Sequence, residues 1–170
     1  MRFEQDLALL RQMTSELAEY LLADVLFWPL GGSAHYPKLS LGQYLLTRAR
    51  LAADQQARAA PLNQQADGVL AHWASAAERK ASQELPTRVR LWETYLNERQ
   101  GRYAVEVTQR TIAALLLGRF PGLGATPEAR RLEALDASLR GQTAAGAFVW
   151  EAGLQPAFPE AEFWFLYRAA

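Results

Sequence analysis

The chain has 170 residues, of which half are apolar and 21% are charged, and its 18 basic and 18 acidic side chains give a net charge of zero. This composition is typical of a folded protein, and the length suits one domain. A neutral chain shows no electrostatic signature of binding to nucleic acid or an anionic membrane, and the lack of cysteine excludes disulfides and thiolate metal sites.

The first 60 residues predict two helices and a loop between them. Apolar residues spaced three and four apart indicate an amphipathic helix over residues 4–27. A loop of glycines, prolines and aromatic residues follows over residues 29–39. Ser40, with Gln43 three positions later, matches a capping box, so we expect a second helix over residues 40–60.

Prolines divide the next stretch into two further predicted helices. Pro61 precedes a helix over residues 62–84, whose second half is weakly apolar and is expected to face solvent. Pro86 is expected to end it. The longest helix then covers residues 87–117, with a small kink or a close helix contact at Gly101.

The C-terminal third begins with a strong helix start. Residues 126–128 supply a capping threonine, a proline and an acidic first turn, and the fifth helix should end near Leu139. We interpret residues 143–153 as a sixth helix, although two glycines leave an extended segment open. The aromatic tail, residues 163–167, is either a short helix or an extended segment lying across the other helices.

These elements predict an all-α fold. Four amphipathic segments joined by short breaks favour an antiparallel four-helix bundle core, with an additional C-terminal helical and aromatic segment. We expect a single helical domain over residues 1–170. A possible subdivision is a core over residues 1–118 and a cover over residues 119–170.

Three charged residues lie on the apolar stripes of different predicted helices, namely Asp24, Arg48 and Arg99. Because an isolated charge in a core is costly, we expect Asp24 to pair with one of the two arginines. Such a cluster would be a structural ion pair, or it would line a pocket for a small polar or anionic ligand. The remaining alternative is that the stripe rotates at a helix end and leaves the charge in solvent.

The loop adds three residues to this candidate cluster: Trp28, His35 and Tyr36. A loop histidine beside aromatic residues is a candidate for acid–base chemistry, although most such histidines face solvent or bond locally. We therefore predict that any ligand pocket lies near the loop.

Motifs for metal and covalent chemistry are missing from the sequence. His35 and His72 lack the glutamate three residues earlier that a di-iron bundle needs, and neither a nucleophile motif nor a phosphate-binding glycine loop occurs. We expect no metal and no cofactor.

The leading functional interpretation is a non-catalytic interaction or assembly module in the cytoplasm, with enzymatic activity left undecided. The aromatic C-terminal surface would be covered by a second copy in a homodimer. The alternative is a small-ligand-binding or enzymatic helical bundle with a polar pocket near residues 28–40. We expect neither nucleic acid nor a membrane as a partner, because the arginines of the fourth helix alternate with acids and no apolar run could span a bilayer.

Overall fold

The computed structural model describes residues 2–32, 35–53 and 56–169. Helices account for most of them, which confirms the all-α prediction. The six α-helices of the described residues are α1 (Arg2–Leu22), α2 (Leu41–Leu51), α3 (Gln56–His72), α4 (Ala74–Glu98), α5 (Tyr103–Arg119) and α6 (Pro127–Gln142). Short 3-10 helices lie at Leu30–Gly32, Pro121–Ala125, Ala152–Ala157 and Trp164–Leu166.

The chain divides into two compact units, Met1–Glu84 and Leu85–Ala170. The boundary falls within α4, so this helix contributes its first half to one unit and its second half to the other. The four-helix bundle predicted for the core is not confirmed. The single-domain assignment stays a prediction.

In the first unit, α1 packs against α2 and α3. The stripe predicted for α1 is buried at Leu7, Leu10, Leu17 and Leu21. The second half of the predicted third helix, expected to face solvent, instead contributes buried residues to α4: Ala77, Lys80, Ala81 and Glu84. Two of these are charged, and their partners are described below.

Helix α4 runs through Pro86, where the sequence predicts a break. Proline costs an interior helix a hydrogen bond and about 3 kcal/mol. Here Leu85, Val89 and Trp92 on either side are almost fully buried, and this burial outweighs that cost.

The predicted fourth helix is wrong as a single element, because the helical path stops between α4 and α5. Arg99 has φ 56° and Gly101 has φ 108°, so both leave the right-handed helical region. The φ of Gly101 is one that residues with a side chain rarely adopt, which reserves the position for glycine. The small kink expected at Gly101 is therefore a complete helix end.

The second unit ends in irregular structure where a sixth helix is predicted. Strands β1 (Ala144–Ala145) and β2 (Arg168–Ala169) form an antiparallel pair in which Ala144 faces Ala169. Next to it, a Cβ on Gly146 would lie 2.8 Å from the backbone nitrogen of Ala169, so the two segments approach too closely for a side chain at this position.

The aromatic tail is folded into the second unit. Phe158 and Phe165 are fully buried, and Phe163 and Tyr167 nearly so. The ring of Phe163 meets those of Phe158 and Phe165 edge to face, with centroids 5.1 and 6.0 Å apart. The aromatic side chains of the tail are therefore part of the hydrophobic core of their own chain.

Candidate functional site

The loop after α1 is fixed at its base by Glu16. Trp28 and Leu39 exchange two backbone hydrogen bonds of 2.8 and 2.7 Å. The Glu16 carboxylate accepts hydrogen bonds from Trp28 Nε1 at 3.0 Å, from the Gly31 backbone nitrogen at 3.0 Å, and from Gln12 Nε2. Gly31 has φ 54°, a conformation that glycine adopts without strain.

The same contacts set the charge state of Glu16. Partial burial acts to raise the pKa of this carboxyl, but hydrogen bonds from Trp28, Gln12 and Gly31 outweigh it and lower the pKa. Glu16 therefore stays ionised near neutral pH and holds the loop against α1. Spacing could not identify it, because two of its partners, Trp28 and Gly31, lie beyond α1 in a segment without periodicity.

A cleft of about 460 Å³ lies between α1, α2 and the loop. Its lining residues are Gln5, Asp6, Leu9, His35, Tyr36, Pro37, Gln43, Thr47 and Arg50. Two of the six residues predicted for a ligand pocket, His35 and Tyr36, line this cleft, and both are exposed. Trp28 contributes indirectly, through the base of the loop.

Arg50 and Asp6 form the ion pair of the cleft. Arg50 Nε donates to Asp6 Oδ2 at 3.1 Å, and the two side chains are only 18% and 13% exposed. Neither residue lies on a pattern that sequence analysis singled out. The pair joins the last turn of α2 to the first turns of α1.

The predicted buried cluster of Asp24, Arg48 and Arg99 is wrong, because two of its members are exposed. Asp24 follows the end of α1, where the helical stripe no longer continues, and it lines a separate hollow of about 180 Å³ with Arg79 and Lys80. This is the alternative in which the charge at a helix end turns to solvent.

Arg48 takes a different acid from the one expected. It donates to both carboxylate oxygens of Asp67 on α3, at 2.6 and 3.1 Å, and to the hydroxyl of Tyr44 at 3.1 Å. The hydrogen bonds with Asp67 raise the pKa of Arg48 above its ordinary value. Its role is to tie α2 to α3.

Arg99 belongs to the second unit and lies at the end of α4. It is exposed, donates to Gln142 Oε1 at 2.6 Å, and places its guanidinium carbon 5.7 Å from the ring centre of Tyr95. The prediction that Arg99 lies on the apolar stripe of a helix is wrong, because α4 ends at Glu98.

Two buried charges of α4 serve the ends of neighbouring helices. Lys80 Nζ donates to the carbonyl oxygens of Ala23 and Val25, both at 2.6 Å, just beyond the C-terminus of α1. Glu84 accepts from Ser40 Oγ at 2.8 Å and from the Gly42 backbone nitrogen at 2.9 Å, at the N-terminus of α2. Each charge has the sign that stabilises its helix end.

The second unit has its own buried ion pair. Arg110 donates through Nε and Nη2 to both oxygens of Asp136, each at 2.8 Å, and its guanidinium carbon lies 4.2 Å from the ring centre of Phe165. The pair is 10% and 17% exposed. It links α5 to α6 beside the buried tail.

Across the described residues, no group of three or more histidine, aspartate or glutamate side chains could hold a metal ion, and no helix is long and apolar enough to cross a membrane. No family model, curated protein or solved structure matches this chain.

Proposed function

We propose that the chain is a small-ligand-binding helical domain and that the cleft between α1, α2 and the loop is its binding site. The supporting observation is the convergence of polar side chains on a cavity of about 460 Å³. Ligand sites in proteins commonly measure about 300–1,000 Å³ and combine apolar walls with a few polar groups.

Several polar groups of the cleft are open to a ligand. Within the described residues, the side-chain amides of Gln5 and Gln43 and the hydroxyl of Tyr36 make no hydrogen bond to the protein. They are partly or fully exposed. A ligand can replace the water on these groups without breaking the fold.

The loop side of the cleft is held in place before any ligand arrives. Glu16 and the pairing of Trp28 with Leu39 fix the base of the segment that carries His35 and Tyr36. A site ordered in advance loses less conformational entropy on binding. This anchoring favours binding over a purely connective role for the loop.

The proposal is tested by titrating the ¹⁵N-labelled full chain with a library of small neutral and anionic aromatic compounds. We expect saturable shifts of the Gln5, Gln43 and Thr47 amide signals. Gln43→Trp should fill the cleft and abolish the shifts, whereas Gln64→Trp, at an exposed position on α3, should keep them. A library that shifts no cleft signal contradicts the proposal.

An interaction or assembly module is the second candidate. The tail aromatic residues Phe163 and Tyr167 are buried within their own chain, so a homodimer would need another apolar surface. Leu22 and Val25, 58% and 42% exposed at the end of α1, provide one. Sedimentation should show a dimer that Leu22→Ser/Val25→Ser dissociates; a wild-type monomer at all concentrations refutes this candidate.

The cellular location of the protein is also a proposal. We assign the protein to the cytoplasm, because its cysteine-free sequence makes no use of an oxidising environment. Fractionation of the source cells with antibody detection tests this, and recovery outside the cytoplasmic fraction contradicts it.

A further inference from the structure

The hydrogen bonding of Arg50 leaves part of its guanidinium unused. Only Nε is engaged, by Asp6 Oδ2, and within the described residues the two Nη atoms make no hydrogen bond. A guanidinium presents five N–H donors in a rigid plane, and its terminal edge suits two oxygens of one carboxylate or phosphate. Arg50 lines the cleft, so these unused donors belong to a side chain of a ligand-sized cavity.

Asp6 has the geometry of a positioning residue. By accepting from Nε it restricts rotation of the guanidinium, and only 18% of the Arg50 side chain is exposed. Arginine loses substantial rotamer freedom when it binds an anion, and a prior partner removes part of that cost. The ion pair with Asp6 therefore orients the Arg50 guanidinium for binding an anion, in addition to neutralising the two charges.

Three other lining residues of the cleft are apolar or aromatic. Leu9 is a buried residue of α1, and Tyr36 and Pro37 line the cleft from the loop, with Tyr36 37% exposed. Side chains of this kind exclude water from the body of a ligand but offer no charge. The cleft therefore combines an anion-binding edge and an apolar face.

We propose that the cleft binds a small organic anion, with its carboxylate or phosphate on the Nη edge of Arg50 and its apolar body against Leu9, Tyr36 and Pro37. This inference rests on the proposed function, since it specifies the ligand class of the same cleft. Asp6 positions the arginine.

Three probes of similar shape test the proposal: benzoate, phenyl phosphate and benzamide. Each is titrated into the ¹⁵N-labelled full chain while the backbone amides of Leu9, Gln43 and Thr47 and the Arg50 Nε–H signal are followed. We expect at least one anion to shift both sets saturably, and benzamide to bind roughly tenfold more weakly or not at all, because it lacks the charge. Comparing benzoate with phenyl phosphate identifies the preferred oxyanion.

Variants connect the effect to the arginine. Asp6→Asn/Arg50→Gln removes both charges of the ion pair, so no carboxylate is left buried alone, and should weaken anion binding roughly tenfold or more. Arg50→Lys keeps the positive charge but lacks the planar pair of N–H donors, so its affinity for the anions should lie between those of the double variant and the wild type. Arg58→Gln, an exposed arginine paired with Glu4, is the matched control and should bind like wild type.

The outcomes separate the two proposals. If no probe shifts the cleft signals, both the ligand-binding function and the anion preference fail. If benzamide binds as well as benzoate and phenyl phosphate, or if the double variant binds the anions like wild type, the cleft binds ligands but the anion inference is overturned. An Arg50 Nε–H signal that stays unchanged while the cleft amides shift overturns the anion inference in the wild-type chain itself.

Discussion

Replacing Glu84 with alanine should be one of the most destabilising single changes in the first unit. This carboxylate is 0% exposed, and it accepts hydrogen bonds from Ser40 Oγ and the Gly42 backbone nitrogen. Ser40 Oγ in turn accepts from the backbone nitrogen of Gln43, so Glu84 completes the cap of α2. Alanine would leave a buried hydroxyl and a buried N–H without this acceptor.

The magnitude follows from those two contacts. A hydrogen bond to a charged group contributes about 1.5–3 kcal/mol, and removing one partner of a buried charged cluster costs about 3–5 kcal/mol. We therefore expect Glu84→Ala to lower the free energy of unfolding by about 4 kcal/mol. Glu84→Gln keeps the shape and one acceptor oxygen, so its cost should be about 1–2 kcal/mol.

Urea denaturation followed by far-UV circular dichroism measures the loss, and amide hydrogen exchange within α2 assigns it to the first unit. Glu78→Ala is the matched control, since Glu78 is exposed on the same helix and should change stability by less than about 0.5 kcal/mol. If Glu84→Ala costs no more than Glu78→Ala, the buried carboxylate does not support the start of α2 and the reasoning is refuted.

Three further changes test the other buried charges. Lys80→Met keeps the side-chain stem but removes the donor to two carbonyl oxygens. Urea denaturation should show that it lowers the free energy of unfolding by about 2–3 kcal/mol. Arg79→Met, at the exposed neighbouring position, is the control and should change the free energy of unfolding little. Asp136→Asn leaves the Arg110 cation without its counter-charge and should cost about 3 kcal/mol; a loss as small as that of an exposed-site variant would contradict this. Because the pKa of Glu16 is lowered on folding, its contribution to stability is present above the unfolded-state value of about 4.3 and is lost as pH falls through the folded value. The indole N–H signal of Trp28 should therefore titrate with a midpoint below about 4.3, and Glu16→Gln should remove this titration; a midpoint above that value would refute the assignment.

Local signals in the sequence predict the local structure well. Thr126 caps α6 as expected, with Oγ1 accepting from the Ala129 backbone nitrogen at 3.3 Å. Ser40 caps α2 in the same way. In both cases the donor and acceptor are three residues apart, so the sequence itself contains the whole interaction.

Interactions between distant residues are not predictable from the same patterns. The weakly apolar segment of Lys80 and Glu84 predicts a solvated helix end, yet their partners lie 57 and 44 residues earlier in the chain. Periodicity records which face of a helix is apolar, and it contains no information on which charged group will meet another helix terminus. The pairing of Arg48 with Asp67 escapes prediction for the same reason.

The sequence predicts the position of the candidate site better than its composition. The glycines, prolines and aromatic residues of the loop draw attention to His35 and Tyr36, and both side chains line the cleft. The charged members, Asp6 and Arg50, come from partly exposed positions that carry no pattern. A cleft is defined by elements that converge in space, so its membership depends on packing that spacing along the chain does not encode.

Three buried charges of this protein are matched more completely than the arginine of the cleft. Lys80 and Glu84 are placed on helix ends of opposite sign, and Arg110 is held through two nitrogens by both oxygens of Asp136, with Nη1 left without a hydrogen bond to any described residue. Arg50, which lines the cleft, is balanced only through Nε. Because partly buried arginine is stabilised by complete hydrogen bonding, this incomplete pairing is the feature that a bound anion would complete.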